Sequence, residues 1–212
     1  MTTLLKMNNP VLKALKKNLP ELQSKMIGRG SFSVVYPRCP SSVWKLTIDA
    51  HNYDLACSDL SSKSPHFSGV IEDKGIVGHI EGLPIYLFAL ERLNHCSKLH
   101  TVRHLVTDYI RRYQATKKLD QMTNNNDDYR GILLGMSKNP LHNKSMRKAL
   151  SLLAGHISGK NCSLDLSNKA NYMAKADGTV VLNDPLFDSV MLEEYMILLN
   201  PSSDDFDENY FD

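Results

Sequence analysis

The spacing of apolar residues changes near residue 93, and this change constrains the fold more than any other feature of the sequence. Residues 26–93 contain short β-branched or aromatic runs separated by glycine, proline and serine, which is typical of antiparallel strands. After residue 93, apolar residues recur at helical spacing. The sequence therefore predicts an α+β protein whose first half is mainly sheet and whose second half is mainly helical.

The first half predicts five strands, with one or two helical turns between the second and the third. The strand sequences are, in chain order, SVVYP, SVWKLTI, GVIEDKG, IVGHIEGLP and IYLFALERL. Ahead of them, residues 1–25 contain a short amphipathic helix that starts with an Asn9 cap and Pro10. Such an apolar stripe usually packs on its own protein, and docking of a partner is the alternative.

The second half predicts two long helices and a hairpin. The hairpin YMAKADGTVVLNDP turns at Asp177 and Gly178. The helices lie in SKLHTVRHLVTDYIRRYQATKKLDQM and KSMRKALSLLAGHIS, and the polar sequence TNNNDDYRG between them predicts a loop. The acidic residues 201–212 predict a disordered tail.

Composition and charge limit the function. With 212 residues and 42% hydrophobic content, the chain can form one domain or two small lobes. The net charge of +2 does not indicate nucleic-acid binding, and the apolar runs are shorter than the ~20 residues of a membrane helix. The four cysteines form no CxxC pair and no signal peptide is evident, so we expect a cytoplasmic protein without direct contact with nucleic acid or membrane.

The sequence GRGSFSVVY places two glycines where one predicted strand turns into the next. Without a Cβ, glycine lets backbone N–H groups approach phosphate oxygens, although a GxG at a strand boundary is also typical of a simple turn. Lys45 follows in the middle of the apolar run VWKLT. It is either a solvated lysine or a cation that reaches phosphates under the glycine turn.

A third group of polar residues comes after the second long helix. Asp165 starts a loop, Asn171 ends that loop, and Asp184 follows the return strand of the hairpin. The oxygen atoms of Asn171 and Asp184 suit Mg²⁺, and Asp165 suits a position facing a hydroxyl nucleophile. Such residues also cap strands and turns in many proteins, so the hypothesis depends on their order after a glycine turn and a lysine.

Taken together, these motifs resemble the protein kinase family, and most of all the early serine/threonine kinases of short-tailed phages of the T-seven group. The resemblance spans about residues 26–187 and includes Ser33 in place of the third loop glycine. It implies a compact, truncated bilobal fold, with a five-stranded antiparallel N-lobe over residues 26–93 and a small, mainly helical C-lobe over residues 94–200.

The resemblance also implies a role for each candidate residue. Lys45 would hold the phosphates, and Asp165 would be the catalytic base. Asn171 and Asp184 would hold Mg²⁺, and Leu90 would be the gatekeeper beside adenine. The residues that would contact ATP lie in the glycine-rich loop, the lysine strand and the hinge: Gly28, Arg29, Gly30, Ser31, Phe32, Ser33, Val35, Lys45, Glu91 and Leu93.

By resemblance, the activity is ATP-dependent phosphorylation of serine and threonine. The implied substrates are the chain itself and host proteins, with RNA polymerase and the RNA-processing machinery among them. Departures from the family pattern support an alternative, a pseudokinase or inhibitory binding protein: the loop from Asp165 to Asn171 is one residue longer than the usual catalytic loop, and the lower part of a full C-lobe has no counterpart. In addition, no His-Arg-Asp sequence precedes the loop, and Pro-Leu follows Asp184. In the kinase family a glutamate on the N-lobe helix pairs with this lysine. In this sequence, Asp54 is the acid nearest to that position. Small-molecule phosphotransfer is a third alternative.

Two other clusters have simpler explanations. A zinc site would use His95, Cys96, His100 and His104, but without a second cysteine pair we favour helix-surface histidines. The first long helix also carries a basic stripe of Arg103, Arg111, Arg112, Lys117 and Lys118. This stripe lacks interleaved aromatic residues, so a solvated helix face is favoured over a nucleic-acid groove.

Overall fold

The computed structural model describes Leu5, residues 9–119 and residues 126–188. Within these ranges the protein is α+β, with a five-stranded antiparallel sheet and six α-helices. Each helix in the described ranges is too short or too polar to cross a membrane. The predicted acidic tail at residues 201–212 lies outside the described residues.

The first half of the chain forms the five-stranded sheet. Its strands are β1 (Gly28–Arg29), β2 (Ser33–Cys39), β3 (Ser42–Thr47), β4 (Val70–Ile80) and β5 (Leu83–Glu91). Their order in the sheet is β1-β2-β3-β5-β4, so β3 is central and β4 lies at an edge. The helices of this half are α1 (Pro10–Asn18), α2 (Ala50–Cys57) and α3 (Leu60–Lys63). The helical segment predicted between the second and third strands is therefore confirmed.

The sheet has the predicted number of strands, but two of the predicted strands are wrong. The sequences GVIEDKG and IVGHIEGLP contribute to one strand, β4, and the short β1 is the fifth member of the sheet. Gly75, at a φ of 64°, lies where the register between β4 and β5 shifts. A bulge absorbs this left-handed backbone without ending the strand. The chain turns instead at Glu81 and Gly82, which both have positive φ.

Helix α1 covers one face of the sheet. Asn9 caps it by accepting a hydrogen bond from the Val11 N–H, and Pro10 occupies its first turn. Leu12 and Leu15 are buried in one core with the apolar side chains on that face of the sheet. The predicted apolar stripe of α1 therefore packs on the sheet of its own chain.

The opposite face of the sheet carries a smaller apolar cluster of Val43, Phe88 and Leu90. Tyr53 and Ala56 of α2 pack against this cluster. Because side chains alternate along a strand and both faces are covered, all six residues of β3 are buried. Any polar side chain on β3 therefore lies inside the protein.

The second half of the chain packs three helices around a separate core. They are α4 (Leu99–Leu119), α5 (Asn126–Ser137) and α6 (Lys144–His156). Helices α4 and α6 confirm the two predicted helices. The prediction of a loop at TNNNDDYRG is wrong from Asn126 onward, because Ile132, Leu133 and Met136 give this segment a buried helical stripe.

Short strands hold the loops of the second half in place. The strands β6 (Asn94–His95), β8 (Tyr172–Ala174) and β9 (Val180–Leu182) form one sheet, and β7 (Ser163–Leu164) pairs with β10 (Leu186–Phe187). The predicted hairpin is confirmed as β8 and β9, and Gly178 turns at a φ of 79°. The loops between these strands carry the polar residues that the sequence singled out.

Candidate functional site

Lys45 lies on the central strand β3, and its side chain is only 7% exposed. In the register of the sheet it is directly between Val35 of β2 and Phe88 of β5. An ammonium group in this position needs a partner, because burying an unpaired charge is costly. The alternative of a solvated lysine is therefore wrong.

Asp184 is the partner of Lys45. Its carboxylate forms an ion pair with the Lys45 ammonium, although 139 residues separate the two in sequence. Asp184 follows β9 and has a φ of 52°, a left-handed conformation that aspartate adopts more readily than most residues. Such backbone strain costs about 1–3 kcal/mol and is common at functional sites, where the surrounding structure maintains it.

Asp165 and Asn171 contact each other directly. The Asn171 amide group donates to the Asp165 carbonyl over 2.9 Å and to the Asp165 carboxylate over 2.8 Å. Two backbone bonds tie this pair to the neighbours of Asp184: the Asn183 N–H donates to the Asn171 carbonyl, and the Asp165 N–H donates to the Pro185 carbonyl. The structure therefore brings Asp165, Asn171 and Asp184 together.

The oxygen atoms of Asn171 and Asp184 fit a hard cation such as Mg²⁺. Because Asn171 uses its NH₂ group for both bonds to Asp165, its amide oxygen is left for a different partner. Mg²⁺ usually takes one or two such protein oxygens and completes its shell with water and phosphate. Over residues 9–119 and 126–188, no group of three or more His, Cys, Asp or Glu side chains could hold a metal. A cation here would thus depend on phosphate or water for its remaining ligands.

The glycine turn connects β1 to β2. The Gly30 N–H donates to the Ser33 carbonyl over 2.8 Å, which closes the turn. A Cβ on Gly30 would lie 3.1 Å from the Ser33 hydroxyl, and one on Gly28 would lie 3.4 Å from the Val35 Cβ. The glycines therefore allow close approach between the turn and β2, and the turn lies next to the strand that carries Lys45.

The tip of the glycine turn is partly turned inward. Phe32 is 9% exposed and belongs to the core on the α1 side of the sheet. Its carbonyl accepts hydrogen bonds from the Ile48 N–H and the Thr47 hydroxyl. The Phe32 side chain therefore packs in the protein, whereas Arg29 is exposed and Ser31 is half-buried.

The residues expected beside adenine lie on β2, β5 and the segment after β5. Val35 and Leu90 share the face of the sheet that carries the buried lysine. Glu91 ends β5, and its carboxylate pairs with Lys175 of the β8–β9 hairpin over 3.3 Å. Leu93 is half-buried between β5 and β6. Val35 and Leu90 therefore lie on the lysine's face of the sheet, whereas Glu91 and Leu93 lie at the end of β5 and just after it.

A cavity of about 30 Å³ lies beside Lys45 and Asp184, and Phe67, Leu90 and Leu182 contribute to its lining. This volume is about that of one water molecule, whereas pockets for small molecules measure about 300–1,000 Å³. The enclosed space is therefore too small for a nucleotide, which would have to lie across its opening.

A buried acid that the sequence did not single out lies close enough to Lys45 to interact with its charge. Asp49 is 1% exposed and caps α2 by accepting hydrogen bonds from the N–H groups of His51 and Asn52. Burial raises the pKa of its carboxyl, the charge of Lys45 acts against that rise, and the charge of Asp184 adds to it. An aspartate directly before AHNYDLAC is a helix-cap signal that points to this position.

Asp54, the acid that the sequence offered for the helix-glutamate position, pairs with residues other than Lys45. Asp54 is 55% exposed on α2, and its carboxylate pairs with Lys160 and, over 3.2 Å, with His156. Both partners lie at the end of α6 or just after it. Asp54 therefore joins α2 to the helical half of the protein.

The four residues of the zinc alternative, which the sequence did not favour, lie on or next to two different elements. His100 and His104 face each other on α4 with their Nε2 atoms 3.0 Å apart. His95 lies on β6, and Cys96 follows it as a free, half-buried thiol. In the part of the chain that the structure describes, no group of three such side chains could hold a metal.

The basic stripe of α4 is partly engaged within the protein. Arg111 and Arg112 both pair with Asp108, which is buried. Lys117 lies over the ring of Tyr113. These three basic side chains therefore interact with residues of their own helix.

The candidate site combines a buried lysine from the sheet half with an Asp–Asn pair and an aspartate from the helical half. Comparison with protein-family models, with curated proteins and with solved structures found no match to the chain. Inference of function therefore depends on the geometry of the site and on the sequence motifs.

Proposed function

We propose that the protein is an ATP- and Mg²⁺-dependent serine/threonine protein kinase of reduced size. The observation that carries this proposal is the meeting of Lys45, Asp165, Asn171 and Asp184, which come from motifs as far as 139 residues apart. Residues that only cap strands and turns have no physical reason to converge with a buried lysine. Convergence with a glycine turn on the neighbouring strand supports phosphate binding.

Each of these residues has a position that suits phosphoryl transfer. Lys45 presents a buried positive charge that would bind phosphate oxygens. Asn171 and Asp184 would hold Mg²⁺, which supplies positive charge against the phosphates. Asp165, whose carboxylate is held by Asn171, would orient the substrate hydroxyl and accept its proton. Catalysis of this kind depends on positioning and electrostatics more than on covalent chemistry.

The substrates that we propose follow from the resemblance to the phage kinases. They are serine and threonine hydroxyls of host proteins in the host cytoplasm, including RNA polymerase and RNA-processing proteins. The chain's own serines and threonines are the simplest substrates to examine, because self-phosphorylation requires no second protein.

The test is transfer of labelled phosphate from γ-³²P-ATP with Mg²⁺, to the protein itself and to casein. Lys45→Met, Asp165→Asn and Asp184→Asn should each lower the rate by at least about 100-fold, since each removes a group that stabilises charge or moves a proton. Asp177→Asn is the matched control: this aspartate is exposed in the nearby hairpin turn and should be dispensable. Mass spectrometry of the parent locates the phosphate.

No incorporation by the parent, or equal incorporation by folded Asp184→Asn protein, would contradict kinase activity. The small cavity beside Lys45, which does not enclose a nucleotide, favours the alternative of a pseudokinase or inhibitory binding protein. That alternative predicts no phosphate transfer, and a higher melting temperature with ATP would then indicate nucleotide binding without turnover. Transfer to a small molecule such as an aminoglycoside, but not to protein, would indicate a metabolite kinase.

A further inference from the structure

A second cavity, of about 240 Å³, lies away from Lys45, between the loop before β4 and the first turn of α6. His66 and Ser145 line this cavity together with Lys98, Thr101 and Thr179. None of these residues has a part in the proposed phosphoryl transfer. The cavity and its polar lining therefore need a separate explanation.

The ring of His66 is fixed in one tautomer. His66 is 4% exposed, and its Nδ1 lies 2.6 Å from the Val180 carbonyl oxygen. A carbonyl only accepts hydrogen bonds, so Nδ1 carries the ring proton. Burial lowers the pKa of His66 and keeps the imidazole neutral, which leaves an unshared electron pair on Nε2.

Ser145 is the partner of that electron pair. Its hydroxyl oxygen lies 2.9 Å from His66 Nε2, and because Nε2 can only accept, the Ser145 hydroxyl donates. Ser145 is exposed in the first turn of α6, where the helix dipole adds partial positive charge. A serine bonded to an oriented, neutral histidine is the arrangement that activates a nucleophile.

We propose that Ser145 and His66 act as nucleophile and general base in a second site, which hydrolyses esters of small carboxylic acids. The Ser145 Oγ forms a bond to the ester carbonyl carbon while its proton moves to His66 Nε2. The bond from that carbon to the alcohol oxygen breaks, and the alcohol leaves with the proton from His66. Water then attacks the acyl carbon and gives a proton to Nε2; Ser145 regains that proton as the carboxylic acid leaves.

The lining of the cavity favours a short acyl group. Pro65, Met146 and Val180 offer apolar surface for its carbon atoms. Lys98 and Thr101 offer a positive charge and a hydroxyl, which suit the oxygen that becomes negative during attack. A volume of about 240 Å³ is smaller than that of most pockets for drug-sized ligands and suits a short acyl chain.

The test applies two probes to the full chain: a fluorophosphonate, which modifies activated serines, and p-nitrophenyl acetate. We expect a fluorophosphonate adduct on Ser145 by tandem mass spectrometry, together with continuous release of p-nitrophenolate. Ser145→Ala should abolish both signals, and His66→Gln should slow labelling by about 10²–10⁴-fold, the contribution of general-base catalysis. Ser151→Ala, a change of an exposed serine on the same helix, is the matched control and should leave both rates unchanged.

The pH dependence gives a second measurement, which stands even where His66→Gln protein does not fold. Burial lowers the pKa of His66, Lys175 acts in the same direction, and Lys98 lines the same cavity. The labelling rate of the parent should therefore be constant above about pH 7, because the base is already neutral there. An unassisted hydroxyl would instead react in proportion to hydroxide concentration.

Two results would overturn the proposal: labelling of Ser145→Ala protein at the parental rate, or a parental rate that rises tenfold with each pH unit above pH 7. Absence of any adduct on Ser145 would do the same. Neither probe requires ATP, and no residue of the kinase site lines this cavity. The second site and the kinase site can therefore fail independently.

Discussion

At the scale of single residues, the ion pair between Lys45 and Asp184 joins the two halves of the chain. Lys45 lies on a strand buried on both faces, so neither solvent nor a neighbouring strand can neutralise its charge. Asp49 lies close enough to interact with the same lysine. The proposed function of this site and the stability of the fold would therefore depend on the same charges.

A double-mutant cycle on Lys45 and Asp184 should measure this coupling. We expect Lys45→Met or Asp184→Asn alone to lower the free energy of unfolding by about 3 kcal/mol, because each leaves a charge unpaired in a largely buried position. The double variant should lose clearly less than the sum, since neither charge then remains. Urea unfolding of the four proteins measures the difference.

The exposed pair Lys63 and Asp59 provides the control cycle for this measurement. It lies one helical turn apart on the surface, with side chains 49% and 66% exposed. Its coupling energy should be only about 0.3–0.5 kcal/mol. Purely additive losses at Lys45 and Asp184 would show that the two charges do not depend on each other.

The sequence was sufficient to identify the four polar residues that meet at the site, because each stands out in its local context. Lys45 interrupts an apolar strand, and Asn171 and Asp184 lie at the two ends of a hairpin with a clear turn. It was not sufficient to identify Asp49, because a helix cap can face either solvent or the interior. Which of the two a helix cap faces depends on tertiary packing. Tertiary packing also pairs Asp54 with Lys160 and not with Lys45.

At the scale of secondary structure, helix α1 and the sheet it covers depend on one apolar contact surface. Leu12 is fully buried in that surface, while Lys13, next to it in sequence, is exposed. We expect Leu12→Ala to lower the free energy of unfolding by about 3 kcal/mol through lost burial and the resulting cavity. Lys13→Ala should change it by less than about 0.5 kcal/mol. Urea unfolding of both variants tests the pair, and a small effect of Leu12→Ala would mean that α1 detaches easily from the sheet.

Secondary structure was predictable where periodicity was unbroken. Helices α4 and α6, the central strands and the hairpin have continuous patterns, and all of them are present. The two errors arise where one local signal opposes the tertiary structure. Gly75 suggested a turn but sits in a bulge within β4, and the polar residues around Asn126 suggested a loop but begin α5. In both cases contacts distant in sequence outweigh local preference.

At the scale of the whole molecule, buried or half-buried histidines lie at the junctions between elements. His66 joins the loop before β4 to β9 and α6, and His156 joins α6 to α2 through Asp54. His142 bonds Asp108 of α4 over 3.0 Å. Burial lowers the pKa of all three imidazoles, more than their partners raise it. Each junction is therefore built around a neutral ring.

This arrangement predicts that the protein loses stability as the pH falls below about 6.5, the ordinary pKa of histidine. Below that pH these histidines bind protons in the unfolded chain, whereas the native state resists protonation. Acid therefore favours unfolding. The loss is about 1.4 kcal/mol for each unit by which the native state lowers a histidine pKa. Urea unfolding at pH 7.5 and 5.5 should therefore show a loss of stability in the parent and a smaller loss in His142→Gln. Equal stability of the parent at the two pH values would show that the histidine junctions accept protons without unfolding.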